Sequence, residues 1–197
     1  MRNNIVLNEP LSRHTSWKVG GPADIFFTPN DRKDLSDFLK SNDCIITWLG
    51  NGTNILVRDA GVRGAVISTR KSLNKIELID QSNYLVEVGV SCFELAMYAT
   101  KNNFGPAAFF SGIPGSIGGA LTMNAGCFGN ETWEFVKSVE VMDRNGEIHQ
   151  LYPEEFSISY RSVGFPFPLW FLSCVMSFPE EGFTTIEELK SMRDSRL

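Results

Sequence analysis

The sequence has only two histidines among its 197 residues, and its four cysteines lie far apart with no Cys-x-x-Cys pair. Zinc sites are built from clustered cysteine and histidine ligands, so the sequence predicts no metal site. We interpret the cysteines, each in or beside an apolar segment, as free thiols that pack like small hydrophobic residues. A chain of this length has enough core to fold without disulfides.

Positive charge and long apolar runs are also scarce. The chain has 18 lysines and arginines against 23 acidic residues, a net charge of -5, which is the wrong sign for neutralising the phosphates of DNA or RNA. The longest apolar stretch, 165–178, is interrupted by Pro166 and Pro168 and falls short of the roughly 20 residues that span a bilayer. The first residues lack the features of a secretory signal. We therefore expect a cytoplasmic protein that binds neither nucleic acid nor membranes.

Hydrophobic patterning divides the rest of the sequence into two α+β units, residues 1–68 and 69–180. Helices are predicted over 31–40 and from the Ser91–Glu94 capping box to about Asn102. Asn145-Gly146 favours a hairpin turn. The predicted strands cover 25–28, 45–49, 55–57, 65–67, 76–79, 84–88, 136–142, 147–152 and 169–178.

A further helix is predicted in the tail, 181–197. Thr184 and Thr185 stand three residues before Glu187 and Glu188, a spacing typical of a capped helix start. This helix would carry three apolar residues towards one side. A helix this short is marginal alone in water, so either it folds back on the body or its partner lies in sequence that is absent. Its apolar residues are Ile186, Leu189 and Met192.

Two glycine-rich stretches are the candidate binding loops. Residues 50–54, Gly-Asn-Gly-Thr-Asn, follow an apolar strand, and residues 112–129 hold six of the 17 glycines. Glycine lets a backbone approach a ligand closely, and successive free N–H groups can bind a phosphate. The third glycine of a Rossmann motif would fall at Ile55, and no P-loop sequence occurs. The pattern therefore supports either a different nucleotide or flavin site, or a run of tight turns.

Arg161 is the candidate cation. It follows the alternating segment 156–159, so we expect it at a strand end beside the two loops. A guanidinium is always charged and suits a carboxylate or a developing enolate. The alternative is a surface arginine in a salt bridge. No Ser-His-Asp spacing or paired-carboxylate pattern stands out.

Taken in order, these motifs resemble the bacterial UDP-N-acetylenolpyruvoylglucosamine reductases, and Met123-Asn124-Ala125-Gly126 is similar to the shorter of the two subtypes. The resemblance covers residues 8 to about 196. It implies an α+β protein with the two-subdomain FAD-binding fold of the vanillyl-alcohol oxidase (PCMH) type. Four motifs carry the resemblance, at 13–23, 49–56, 112–126 and 160–162.

The resemblance implies non-covalently bound FAD and NADPH as the hydride donor. The reaction is the reduction of UDP-N-acetylenolpyruvoylglucosamine to UDP-N-acetylmuramate, a step of peptidoglycan precursor synthesis. Tyr160 and Arg161 are the implied substrate-binding residues, and Arg161 is the implied catalytic cation that stabilises the enolate. The implied cofactor-binding residues are Gly50, Asn51, Gly52, Thr53, Asn54, Ile113, Pro114, Gly115, Ser116, Gly118, Gly119, Asn124, Ala125 and Gly126.

The sequence is shorter than the members of the family that it resembles. Those members continue for roughly another hundred residues, an ordinary domain size. This additional substrate domain supplies a proton-donating serine. We therefore expect the FAD-binding portion with little turnover of its own, and 181–197 as the start of a linker to an absent domain. Apolar surface at Phe109, Phe110 and the tail helix would then favour self-association, unless the missing domain is a separate chain. The alternatives are a non-catalytic or vestigial flavin-binding protein and an α+β domain without a ligand.

Overall fold

The computed structural model describes residues 4–102, 105–179 and 184–195. Its α-helices are α1 (Arg32–Ser41), α2 (Cys92–Lys101), α3 (Ile117–Met123) and α4 (Ile186–Asp194). Its strands are β1 (Ile5–Pro10), β2 (Pro22–Phe27), β3 (Ile46–Leu49), β4 (Val62–Ser68), β5 (Ile76–Leu78), β6 (Asn83–Glu87), β7 (Gly126–Cys127), β8 (Asn130–Glu131), β9 (Val136–Asp143), β10 (Ile148–Leu151), β11 (Ser157–Ser159), β12 (Ser162–Gly164) and β13 (Leu169–Ser177). Across the described ranges, we find no helix with the length and apolar character that a membrane crossing requires.

The first sheet has four strands in the order β1-β2-β4-β3. β1 and β2 are antiparallel, whereas β4 pairs in parallel with both β2 and β3. α1 connects β2 to β3 and begins where the Asp31 side chain accepts a hydrogen bond from the Asp34 N–H. Its apolar face is buried, and Phe38 stacks on Phe27 of β2 with ring centroids 4.1 Å apart. Burial of this face holds α1 on the sheet.

The second sheet has five antiparallel strands in the order β10-β9-β13-β6-β5. β13 lies at its centre and is buried along most of its length. α2 begins at the predicted capping box, in which Ser91 and Glu94 exchange hydrogen bonds. A 3-10 segment, Gly105–Gly112, packs against α2, and its apolar side chains belong to the main core.

Side chains of the first unit bind the second sheet directly. Arg32 of α1 donates to the Glu140 carboxylate at 2.6 Å and lies 3.7 Å from the carboxylate of Glu87. In the opposite direction, Arg144 of the β9–β10 turn donates to the carbonyls of Asn42 and Cys44. These bonds fix the α1 side of the first sheet against the second.

Four strands, β1, β7, β8 and β12, were not predicted, and one predicted strand is absent. The structure contains β1, which the sequence analysis missed because its Asn8 and Glu9 interrupt the apolar alternation; Asn8 also has a φ of +54°. Conversely, residues 55–57 do not form a strand. β4 is already paired on both sides by β2 and β3, so this apolar segment has no free edge of β4 to join. The predicted helices at 31–40 and 91–102 are confirmed within one residue or two.

The expected exposure of Phe109, Phe110 and Leu189 is also wrong, because all three side chains are buried. α4 begins at a Thr185–Glu188 capping box, as predicted, and packs back on the 3-10 segment and α2. Its Arg193 guanidinium lies 4.7 Å from the centre of the Phe93 ring. The helix therefore finds its partner within the chain. Of the proposed linker 181–197, residues 181–183, 196 and 197 lie outside the described residues.

Candidate functional site

A cavity of about 590 Å³ lies where the two sheets meet, within the roughly 300–1,000 Å³ typical of small-molecule and cofactor sites. Three parts of the chain line it. The first is 48–55, which ends β3 and continues into the first glycine-rich loop. The others lie within 112–126 and 161–171, both from the second unit.

The loop 50–54 is supported from behind by residues 14–16. The Ser16 N–H donates to the Gly52 carbonyl at 2.9 Å. Gly52 has a φ of +68°, and a Cβ placed there would lie 2.0 Å from the His14 carbonyl oxygen. Gly52 is therefore required for the loop to pack on its own support, and a larger side chain would disturb the loop before it met any ligand.

The same loop leaves several donors unused. Within residues 4–102, 105–179 and 184–195, the backbone N–H groups of Asn51 to Asn54 have no hydrogen-bond acceptor. The side chains of Asn51, Thr53 and Asn54 also make no hydrogen bond to any residue in the described ranges. Consecutive free N–H groups at the edge of a cavity form a concave donor set that suits a phosphate oxygen.

The second glycine-rich loop leads into α3 and has used most of its backbone donors. Ser116 caps the helix, its Oγ accepting from the Gly119 N–H at 3.3 Å. The N–H groups of Ile117 and Gly118 donate to the Val90 and Val88 carbonyls. This loop therefore offers a surface to a ligand rather than an anion site.

Gly119 leaves open space on that surface. It is exposed and lines the cavity, and the nearest atom to a Cβ placed there would be the Ser116 Oγ at 3.7 Å. Unlike Gly52, it is not required by any close protein contact. Its lack of a side chain lets a ligand approach the backbone of α3.

The two loops adjoin each other. A Cβ on Gly50 would lie 2.7 Å from the Ser116 Oγ, and one on Gly115 would lie 3.8 Å from the Thr53 Oγ1. A stretch from the first unit and a stretch from the second therefore form one continuous wall of the cavity.

Arg161 lies in the turn between β11 and β12 with a φ of +54°. It is the one ionisable residue among those that line the cavity in the described structure, and its guanidinium has no partner in those ranges. A non-glycine residue in this backbone region costs about 1–3 kcal/mol and is common at functional sites. Tyr160, by contrast, is 79% exposed and does not line the cavity.

Asn124 is the one predicted cofactor-binding residue that the structure places behind the cavity wall. It ends α3 with a φ of +40° and is buried. Its amide donates to the Glu131 carboxylate and the Ser159 carbonyl and accepts from the Trp133 N–H. These bonds position the following residues, Ala125 and Gly126, both of which line the cavity.

The apolar wall of the cavity was not predicted from the sequence. Trp48 could have been found from its place two residues before the first glycine loop. The strand residues had no local signal, because an apolar residue in a strand serves a core equally well. The missed side chains are Trp48, Met123, Phe165, Leu169, Trp170 and Phe171.

Asp143, Glu147 and His149 form a polar cluster outside the cavity, with potential ligand atoms within 4.8 Å of one another. Burial of the Asp143 carboxyl opposes its ionisation, but hydrogen bonds from the Glu147 N–H, the His149 ring and the Asn145 N–H outweigh burial and lower its pKa. The carboxylate oxygens therefore already serve the β9–β10 turn.

A profile of the FAD-binding domain family matches residues 23–152. The UDP-N-acetylenolpyruvoylglucosamine reductase of Methylococcus capsulatus is 42% identical over 188 residues, 94% of this chain and 62% of the relative. The enzyme of the same name from Legionella pneumophila strain Paris is 40% identical over 194 residues, 97% of this chain and 64% of the relative. The chain thus spans less than two thirds of the length of these curated relatives.

Solved structures show the same likeness. UDP-N-acetylenolpyruvylglucosamine reductase from Thermus caldophilus superposes with a TM-score of 0.76 at 28% identity, over all of this chain and 68% of that one. Berberine bridge enzyme from Eschscholzia californica superposes with a TM-score of 0.58 at 14% identity, over 80% of this chain and 35% of that one, a likeness of fold alone. The predicted α+β fold of the vanillyl-alcohol oxidase type is confirmed, and the chain belongs to the FAD-binding domain family.

Proposed function

We propose that this chain binds FAD non-covalently in the cavity between the two sheets. The observation that carries the proposal is the row of free N–H groups at residues 51–54 on the edge of a cavity of about 590 Å³. These donors bind the pyrophosphate. No carboxylate lies among the described residues of the lining, so the wall does not repel a diphosphate. The flat surface of glycines and apolar side chains takes the rings.

We further propose the role of FAD-dependent reductase in peptidoglycan precursor synthesis, with NADPH as the hydride donor and UDP-N-acetylenolpyruvoylglucosamine as the substrate, in the cytoplasm. When bound, FAD supplies the hydride transfer from NADPH to the substrate. The part of this chain is to hold the cofactor and to place Arg161 beside the reacting centre. Its guanidinium stabilises the negative charge that develops on the substrate's carboxylate as the enolate forms, an interaction of the kind that contributes about 3–4 kcal/mol elsewhere.

The direct test of FAD binding is reconstitution. The chain is mixed with FAD and passed over a sizing column, and the visible absorbance that elutes with the protein gives the bound flavin. We expect near-stoichiometric flavin, all of it released by denaturation in acid or guanidinium. Protein that stays colourless after mixing would overturn the proposal. Flavin that remains attached after denaturation would show a covalent link instead.

A non-catalytic flavin-binding protein is the second candidate, because Arg161 is the one ionisable residue among the described residues of the lining and a guanidinium does not release a proton. Because substrate positioning contributes several kcal/mol to a barrier, we expect little turnover from this chain alone. To distinguish the two candidates, the part of a relative that lies beyond its match to this chain is added as a separate polypeptide, and substrate turnover is measured. Restored turnover that depends on Arg161 supports the reductase, and continued inactivity with retained FAD supports the carrier.

A further inference from the structure

Trp48 and Trp170 form a stacked pair in the wall of the cavity. Trp48 belongs to β3 of the first sheet and Trp170 to β13 of the second. Their ring centroids are 6.2 Å apart and their planes are inclined by 15°. Both side chains are half-buried, with one part against the main core. Both residues line the cavity.

The pair differs from the other two tryptophans in the sequence. Trp133 is buried, and its Nε1–H donates to the Leu121 carbonyl at 2.8 Å. Trp17 is 70% exposed and does not line the cavity. In the ranges that the structure describes, neither Trp48 nor Trp170 has a hydrogen-bond partner for its ring N–H. A buried indole ordinarily finds such a partner. The two half-buried rings therefore differ from the core tryptophan, Trp133, whose ring N–H is hydrogen-bonded.

Trp48 also lies within reach of the free donors. It stands two residues before Gly50 in the sequence, a separation of at most about 7 Å between Cα atoms. A ring resting on Trp48 could therefore belong to a molecule whose phosphates bind residues 51–54. The neighbours of Trp170 in β13, Leu169 and Phe171, also line the cavity, although their side chains point to the opposite face of the sheet.

We propose that the Trp48–Trp170 pair is the ring-binding wall of this cavity, against which one flat heterocycle of the bound dinucleotide stacks. The inference rests on the proposed FAD binding. FAD carries two such heterocycles, adenine and isoalloxazine, and either can stack on an indole. Stacking of a base on an aromatic side chain typically changes affinity by roughly 5- to 150-fold. Since the two indoles come from different sheets, the bound ring also holds the sheets together.

The test compares four variants in equilibrium binding to FAD, FMN and ADP. Trp48→Leu and Trp170→Leu remove the aromatic rings, whereas Trp48→Phe keeps one. Trp17→Leu is the matched control, because its indole lies outside the cavity. Thermal unfolding of each variant without ligand shows whether its fold is retained, and only folded variants are compared.

We expect the leucine variants to bind FAD at least about 5-fold more weakly, Trp48→Phe to recover most of the loss, and Trp17→Leu to match the unmodified chain. A loss confined to FMN identifies the isoalloxazine ring, and a loss confined to ADP identifies adenine. Unchanged FAD affinity, or equal losses for FMN and ADP, would overturn the ring-binding wall while leaving FAD binding intact. Failure of the unmodified chain to bind any of the three ligands would overturn both proposals.

Discussion

At the scale of single residues, the glycines of the cavity have different tasks, and Gly119 is the one whose replacement tests ligand approach. Gly119→Leu should leave the unfolding temperature unchanged or slightly higher, because leucine favours a helix over glycine by up to about 1 kcal/mol. Its side chain would occupy the open space above α3. We expect FAD binding to weaken by about 1–3 kcal/mol, the usual cost of overpacking, as measured by titration calorimetry.

Gly119→Ala provides a graded control, since its single methyl group intrudes less. Gly52→Val does not test ligand approach as Gly119→Leu does, although both glycines were predicted to bind the cofactor. A valine there would meet the His14 carbonyl, so lost FAD binding would come with lost stability. Equal FAD affinity in Gly119→Leu and the unmodified chain would remove Gly119 from the site.

Arg161 is the residue whose replacement tests the chemistry. In the two-polypeptide assay, Arg161→Gln should lower kcat by roughly 10²- to 10³-fold, the effect of removing one donor to a developing oxyanion. FAD affinity should stay nearly constant, because the proposed role concerns the substrate. Arg63→Gln is the control, since Arg63 is 83% exposed and pairs with Asp24. Comparable losses in the two variants would contradict a specific role for Arg161.

At the scale of elements, helices were predictable where a cap in the sequence precedes a periodic apolar pattern. α3 was not predicted, although Ser116 caps it, because it lies in a glycine-rich stretch. α1, α2 and α4 begin at Asp31, Ser91 and Thr185, and each of these side chains accepts from the N–H three residues on. Such a signal is local and survives without knowledge of the fold. β1 has no comparable signal, because its place beside β2 is decided by pairing between distant residues.

The β9–β10 turn should be sensitive to acid. Its Asp143 has a lowered pKa in the folded protein, so the unfolded chain takes up the proton at a higher pH than the folded one. The stability that the carboxylate provides is complete above its unfolded value of about 3.9 and is lost as pH falls through the folded pKa. Urea unfolding of Asp143→Asn should therefore vary less with pH below about 4. Parallel pH curves for the two proteins would refute this.

Contact between α4 and the body should keep the chain monomeric. Leu189→Asp would place a charge where a fully buried leucine now lies and detach the helix from the 3-10 segment. Uncovered apolar surface favours association. In sedimentation equilibrium we expect the unmodified chain to be a monomer and the variant to associate. Lys190→Asp, on the exposed side of α4, should remain monomeric. Monomeric behaviour of both variants would contradict this role of α4.

At the scale of the whole molecule, Arg32 should couple stability to cofactor binding. Its side chain is 30% exposed and binds carboxylates of the second sheet from a helix of the first. Arg32→Met should lower the free energy of unfolding by about 1–3 kcal/mol, as expected for hydrogen bonds to charged groups, and should weaken FAD binding. Arg63→Met breaks an exposed pair within the first sheet and should change both by less than about 1 kcal/mol. Calorimetry and urea unfolding measure the two effects, and equal effects would contradict the coupling.

The sequence pointed to the two glycine loops of the cavity but not to its apolar wall. Glycines at 50–54 and 112–126 are visible because few other tasks require so many of them together. Trp170 and Phe171 could not be recognised in the same way, because an apolar strand residue can equally well fill a core. Their place at the cavity depends on how the two sheets meet, and the facing Trp48 lies more than a hundred positions away in the sequence.

The connection between the two sheets limits how a ligand can enter. Thr69, Ser72 and Leu73 are buried, and the Gly89 N–H donates to the Leu73 carbonyl at 2.8 Å. A connection packed in this way resists bending, because rotation of one unit away from the other would break these contacts. We therefore expect a ligand to enter past the surface turns at 50–54 and 160–161. Small movements of these turns are faster than domain rearrangements, so the association rate should be set by encounter with the open mouth rather than by a slow opening step.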